Sequence, residues 1–270
     1  MLNGPFAVVL PAYAMLFILA LFLLRYSART LMKISAALFW ISPPLMLIGL
    51  SLLSDAALLA DIAGGPLSAF AWMPVFVAGM ATGRLDLRNR SLPVKFIIFG
   101  FVILIPAKFI AVFLLPGLYQ VVVNWLAQIP GIANPQIDPY AIWPHNTQPV
   151  LWHMLFLAMP QGGSTFELLI GTGLSFIITG LLLLMERRCL AILKPFCSVG
   201  RTALTLYATQ FLIAWLLGIG GIDVTGINIG SMPFGDIFVA AMVLGVGCLI
   251  TAFSFTPLEA MTYKFEQLFC

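Results

Sequence analysis

Long apolar stretches recur along this chain, and each is close to the length of a membrane-spanning helix. A helix of about 20 apolar residues crosses the hydrocarbon core, where every backbone polar group must be paired within the protein. Of the 270 residues, 61% are hydrophobic and only 9% are charged, whereas a soluble domain carries roughly a quarter charged residues. The sequence therefore predicts an all-α, polytopic transmembrane helix bundle.

We expect about seven spans, forming a single transmembrane domain over residues 1–270 in the cell membrane. The predicted spans are Phe6–Leu24, Leu31–Leu53, Pro66–Gly83, Phe96–Leu115, Leu168–Met185, Val199–Ile219 and Ile237–Phe255.

Basic residues fall on alternate connections between these spans. All but one of the 13 lysines and arginines lie in the connections after spans one, three and five, beside them, or in the carboxyl-terminal tail. The other connections contain Asp55, Asp61, Asp138, Glu167, Asp223 and Asp236. Because lysine and arginine concentrate in short cytoplasmic loops, the amino terminus is predicted outside and the carboxyl terminus in the cytoplasm.

Charge and local motifs exclude several classes of function. The net charge of +3 is small and scattered, unlike the basic surface of a protein that binds nucleic acid. The sequence contains no glycine-rich phosphate loop, nucleophile elbow or HExxH zinc motif. No metal site and no bound cofactor are predicted.

The external connection 116–165 is long enough to form a cap over the bundle. Val122, Trp125, Leu126 and Ile129 have helical spacing and predict an interfacial helix. The run "LWHMLFLAMP" is too short to cross, so it either dips into the membrane or caps the bundle. In "PQGGSTFE", Ser164 or Thr165 can cap the helix of span five.

Both histidines of the chain, His145 and His153, lie in this connection. Either is a candidate general base, because histidine exchanges protons near neutral pH. The alternative is that both are interfacial surface residues.

Span six carries an unusual set of polar groups, namely Arg201, Thr202, Thr205, Tyr207, Thr209 and Gln210. The threonines can simply bond preceding carbonyls and allow close helix packing, and Arg201 can be an interfacial anchor. Tyr207 and Gln210 need buried partners, which makes them candidates for a binding site.

Lys108 of span four is the one basic residue outside the cytoplasmic pattern. It is either functional or snorkels to the outer interface.

Several stretches, taken together, resemble one bacterial family. They are "VVLPAYAMLFILALFLLRYSARTL", "FVAGMATGRLDL", "PQGGSTFELLIGTG", "SVGRTALTLYATQFL" and "TPLEA". They occur in order across nearly the whole chain and look like the multi-pass proteins of domain of unknown function 418. Related bacterial proteins resemble heparan-alpha-glucosaminide N-acetyltransferase.

This resemblance implies a bacterial inner-membrane acyltransferase. Acetyl-CoA would be the co-substrate on the cytoplasmic side, and a sugar or lipid-linked acceptor would lie outside. Thr205, Tyr207 and Gln210 would then line an acyl tunnel, with Arg201 at its cytoplasmic mouth. Lys108 and Gln161 are further candidates for the tunnel or binding site, and a homo-oligomer is compatible with this class.

The chain departs from the acetyltransferase pattern at two places. Gln161 stands where such relatives often have histidine, and an amide cannot accept the proton. The amino-terminal region with their catalytic histidine has no counterpart, so we expect the chain to be inactive alone, as a shortened reading frame, a natural half-protein or a degenerate member of the family. A small-molecule transporter or flippase, and a non-catalytic membrane scaffold, remain alternatives.

Overall fold

A computed structural model of the chain describes residues 10–52, 64, 68–128, 152–158 and 162–185, and isolated positions from 197 to 260. All regular secondary structure in these residues is helical. The chain divides into two compact units, Asn3–Leu184 and Met185–Cys270. The elements below all belong to the first unit.

Six α-helices and one short 3-10 helix make up the described part of the first unit. They are α1 (Leu10–Leu23), α2 (Ala28–Leu52), α3 (Ala69–Gly83), α4 (Leu92–Phe113), α5 (Leu115–Leu126), the 3-10 helix Trp152–Phe156, and α6 (Thr165–Leu184).

Three helices are long and apolar enough to cross a membrane, over Ala28–Gly49, Leu92–Phe113 and Thr165–Leu184. The helices α1 and α3 are apolar but shorter, with 14 and 15 residues. The first five predicted spans thus coincide with α1, α2, α3, α4 and α6. Of the last two predicted spans, the structure describes only isolated positions.

Helix α4 begins at Leu92, four residues before its predicted span. Pro93 lies in the first turn, where a missing N–H costs nothing and the fixed φ favours a helix. The apolar pattern places the start after Lys95 because that residue is charged. In the structure Lys95 is an exposed residue of the first turn.

A proline inside α2 frees a backbone carbonyl, which accepts a hydrogen bond from α6. Pro43 lies inside the helix and has no N–H, so the Phe39 carbonyl loses its donor four residues on. The Thr165 hydroxyl donates to that carbonyl at 2.8 Å. This bond fixes the start of α6 against the middle of α2.

Helices α2 and α3 form the core of the first unit together with α1. The Ser35 hydroxyl of α2 donates to the Pro74 carbonyl of α3 at 2.8 Å. Near one end of the unit, Leu31 packs with Val77 and Ala81, next to Leu23 of α1. The early part of α2 therefore meets the late parts of both α1 and α3, so the three helices alternate in direction.

Glycines bring α4 and α6 into close antiparallel contact. A Cβ on Gly180 would meet Pro93 and Ile97, whereas a Cβ on Gly173 would meet Gly100 and Leu104. A Cβ on Gly100 would lie 2.6 Å from the Gly173 carbonyl oxygen. Small residues allow such backbone approach where membrane helices pack.

The first unit has a basic end, formed by the α1–α2 and α3–α4 turns. The Arg84 guanidinium donates to the Leu24 carbonyl and joins the two turns. Their exposed cations, with those of the adjoining helix ends, are Arg25, Arg29, Lys33, Arg84, Arg88, Arg90 and Lys95. The 3-10 helix packs at the opposite end, here called the cap end.

Candidate functional site

The cap end is built on a five-residue 3-10 helix, Trp152–Phe156, which belongs to the short apolar run of the connection 116–165. Its residues Trp152, Met154 and Leu155 pack on a buried cluster of Met46, Leu47 and Ala71. The segment thus packs against the late part of α2 and the early part of α3; the choice between a cap and a segment that dips into the membrane stays a prediction.

His153 is the central residue of this cap. Its side chain is only 1% exposed, which excludes the alternative of a surface histidine for this position. Tyr119 of α5 lies next to it, with ring centroids 5.6 Å apart and an interplanar angle of 64°. Such an edge-to-face arrangement is favourable between aromatic rings.

Burial of His153 favours the neutral form of its imidazole. Burial removes water from the charged form and lowers the pKa of His153 below 6.5. Within the described part of the chain, its buried Nδ1 atom has no hydrogen-bond partner. A buried polar atom without a partner is costly, and a neutral imidazole at pH 7 is able to accept a proton.

A second polar arrangement forms the turn that leads into α6. The Ser164 hydroxyl accepts a hydrogen bond from the Glu167 N–H at 3.3 Å, which confirms the predicted cap. The Glu167 carboxylate accepts one from the Gly163 N–H at 2.6 Å. Gly163 has φ 66°, a conformation that glycine adopts without steric cost.

Lys108 is exposed on α4, beside the buried Ala107 that lies on the same side as Gly100. The antiparallel register of α4 and α6, continued by about two turns beyond Gly100 and Gly173, puts Lys108 level with the first turn of α6. It forms no hydrogen bond or ion pair with other described residues. This position near the helix ends agrees with the snorkelling alternative.

In the second unit, three of the span-six threonines belong to the described residues. The Thr209 hydroxyl donates to the Thr205 carbonyl at 2.7 Å, as the back-bonding interpretation predicts. Thr202 and Thr205 are buried, at 1% and 5% exposure. The hydrogen-bonding need of the Thr209 hydroxyl is thus met by a carbonyl of its own helix.

Five candidate residues lie outside the described residues: His145, Gln161, Arg201, Tyr207 and Gln210. Their roles remain predictions. Among the described residues, no group of three or more His, Cys, Asp or Glu side chains is placed to hold a metal ion.

Tyr119 is the one site residue that the sequence analysis missed. Helical spacing in α5 selects Val122, Trp125 and Leu126, but Trp125 is exposed and Leu126 is buried. The packed face extends back from Leu126 through Val122 to Tyr119 and Leu115. Applying the same period one turn earlier would have included Tyr119.

Comparisons of this chain with family models, curated proteins and solved structures gave no match.

Proposed function

We propose that the protein is a seven-span protein of the bacterial inner membrane, with the amino terminus outside and the carboxyl terminus in the cytoplasm. The one-sided distribution of lysine and arginine supports this orientation. In the first unit the two basic turns are joined at one end by Arg84 and Leu24. On this proposal the basic end faces the cytoplasm, and the cap end with His153 faces outward.

We further propose that the protein belongs to an acyltransferase-like class, which passes an acyl group from cytoplasmic acetyl-CoA to an external acceptor, with a sugar as the expected acceptor. The observation that carries this proposal is the buried His153, whose Nδ1 has no hydrogen-bond partner among the described residues. Arg201, Thr205, Tyr207 and Gln210 keep their predicted role along the acyl path, as do Lys108 and Gln161.

The proposed chemistry assigns one step to His153. The imidazole takes the proton from an acceptor hydroxyl or amine while that oxygen or nitrogen attacks the thioester carbonyl. The new bond forms to the acyl carbon, and the carbon–sulfur bond breaks to release the thiolate of coenzyme A. A base whose pKa lies below 7 is available in its neutral form for this step.

The test is an acetyl-CoA assay in membrane vesicles that contain the protein and an amino sugar on the external side. It is run on the 270-residue chain and, in parallel, on the same chain with any in-frame upstream sequence. In the active form, His153→Ala should lower the rate of coenzyme A release by about 10²- to 10⁴-fold.

The matched control is His145→Ala, which removes the other histidine of the same connection and should change the rate by less than about threefold. Equal losses in the two variants would argue against a catalytic role that belongs to His153. Absence of acetyl-CoA-dependent transfer in both forms would contradict the acyltransferase proposal.

A second candidate function is a non-catalytic membrane scaffold. It is favoured by the polar side chains that already pair with backbone carbonyls, namely Ser35, Thr165 and Thr209. A transporter with broken helices is less favoured, because α2, α3 and α4 continue through their internal prolines. The acyl-transfer assay separates the scaffold from the enzyme.

A further inference from the structure

An open groove lies between α3, α4 and α6, within the first unit. Its volume is about 210 Å³, and Val75, Ala78, Phe96 and Phe176 form its apolar walls. Gly79 also lines it, and a Cβ at that position would have no other atom within 4 Å. The groove is therefore wide enough at α3 to admit an apolar chain.

The groove runs along the helices toward the basic end. Val75 and Thr172 line its inner part, and Thr82 and Thr179 line the part next to the basic end. Seven residues on each helix correspond to about 10 Å. The length and the apolar walls fit a segment of hydrocarbon chain that lies parallel to the helices.

Basic residues lie in the α3–α4 turn, next along the chain from the end of this groove that faces the basic end. Thr82 is followed at once by the α3–α4 turn, whose basic residues Arg84, Arg88, Arg90 and Lys95 are all exposed. Asp86 is the only acidic residue of 84–95, and its carboxylate accepts the Arg88 backbone N–H at 3.1 Å. Within the described part of the chain, none of these four cations forms an ion pair.

We propose that this groove binds an anionic phospholipid, with one acyl chain between α3 and α6 and the phosphate at the α3–α4 turn. The inference rests on the basic end facing the cytoplasmic leaflet. The acyl chain moves from lipid and not from water, so its gain in the groove comes from van der Waals contact with the apolar walls. Guanidinium groups hold phosphate oxygens through paired, charge-assisted hydrogen bonds. The exposed Thr179 hydroxyl is positioned to donate to an ester carbonyl below the headgroup.

Charge also argues for a lipid over a helix from a second copy. Two copies in one membrane have the same orientation, so a second helix in the groove would bring its own basic end beside Arg88 and Lys95. Like charges at that distance repel. An anionic headgroup neutralises the same cations, and anionic lipids attract basic segments at the membrane surface.

The experiment is a lipid titration of the purified protein in mild detergent, read by native mass spectrometry. Phosphatidylglycerol and phosphatidylethanolamine with the same acyl chains are compared. We expect phosphatidylglycerol to bind at least tenfold more tightly. The double variant Arg88→Gln/Lys95→Gln should lower its affinity by about twentyfold, because two cations near the surface are lost.

The matched control is Arg29→Gln/Lys33→Gln, which removes the same charge from α2, a helix that lines no part of the groove, and should change the affinity by less than about threefold. Gly79→Leu tests the groove itself. Since the position is open, the variant should fold with an unchanged thermal transition but bind phosphatidylglycerol at least fivefold more weakly.

Three results would overturn the proposal: equal binding of the two lipids, equal effects of the two double variants, or unchanged binding by Gly79→Leu. Competition by soluble glycerol phosphate would show a site for free phosphate and would also overturn it. None of these readouts depends on acyl transfer, so the lipid site and the proposed enzyme activity fail or succeed separately.

Discussion

At the residue scale, His153 shows what sequence can and cannot predict. Its place in the long connection 116–165 and its capacity as a base follow from the sequence. Its burial does not, because it depends on Tyr119 of α5 and on the cluster around Met46 and Ala71, which are distant along the chain. Tertiary contacts of this kind leave no local periodicity around a histidine.

Burial of His153 predicts a pH-dependent stability. Its pKa is lowered by desolvation from 6.5 in the folded state, so the unfolded chain binds a proton more readily. Stability is therefore present in full above about pH 6.5 and is lost as the pH falls toward the folded pKa. Thermal unfolding in detergent should show a lower transition temperature at pH 5.5 than at pH 7.5.

The variant His153→Gln should lose most of this difference, whereas His145→Gln should retain it. A His153→Gln protein with the same loss of stability between the two pH values would assign the effect to other groups.

Two threonines of α6 provide a matched pair of buried hydroxyls. Thr165 donates to the Phe39 carbonyl at 2.8 Å, whereas the Thr172 hydroxyl has no partner in the described part of the chain. Thr165→Val should lower the free energy of unfolding by about 1 kcal/mol. Thr172→Val should leave it unchanged or raise it, because an unpaired buried hydroxyl is replaced by a methyl group.

Thermal unfolding of both variants in the same detergent checks this pair. A larger loss for Thr172→Val than for Thr165→Val would show that Thr172 has a partner of its own.

At the element scale, apolar runs predict the helices better than their ends. The predicted spans Pro66–Gly83 and Leu168–Met185 correspond to α3 and α6, with starts shifted by three residues. The starts depend on caps such as Ser68 and Ser164, which an apolar window does not weigh. The internal prolines do not end α2 or α4.

The packing of α4 on α6 depends on glycine at particular positions. A Cβ at Gly100 would lie 2.6 Å from a backbone oxygen of α6, whereas one at Gly171 would meet nothing within 4 Å. Gly100→Ala should lower the free energy of unfolding by about 1–3 kcal/mol. Gly171→Ala should raise it by up to about 1 kcal/mol, because alanine favours the helix.

Both variants can be compared by thermal unfolding and by the yield of monodisperse protein. Equal stability of the two variants would show that α4 and α6 lie further apart at Gly100 than the 2.6 Å distance indicates.

At the scale of the whole molecule, the distribution of charge is the sequence signal that relates segments far apart in the chain. It predicts that the α1–α2 and α3–α4 turns lie on one side, and the contact of Arg84 with Leu24 joins those turns. The division into two compact units after Leu184 falls at the charged connection that begins with Glu186, Arg187 and Arg188. Charge alone does not mark this connection as a boundary, because the equally basic turn between α3 and α4 lies inside the first unit.

The central claim is that the basic end faces the cytoplasm and the cap that contains His153 faces outward. Topology reporters that are active only outside the cytoplasm test it most directly, fused after Gly64, Arg90, Pro135, Glu186 and Gly226. The account predicts activity for the fusions at Gly64, Pro135 and Gly226, and none for those at Arg90 and Glu186. Reversal of any two of these reporters would contradict it.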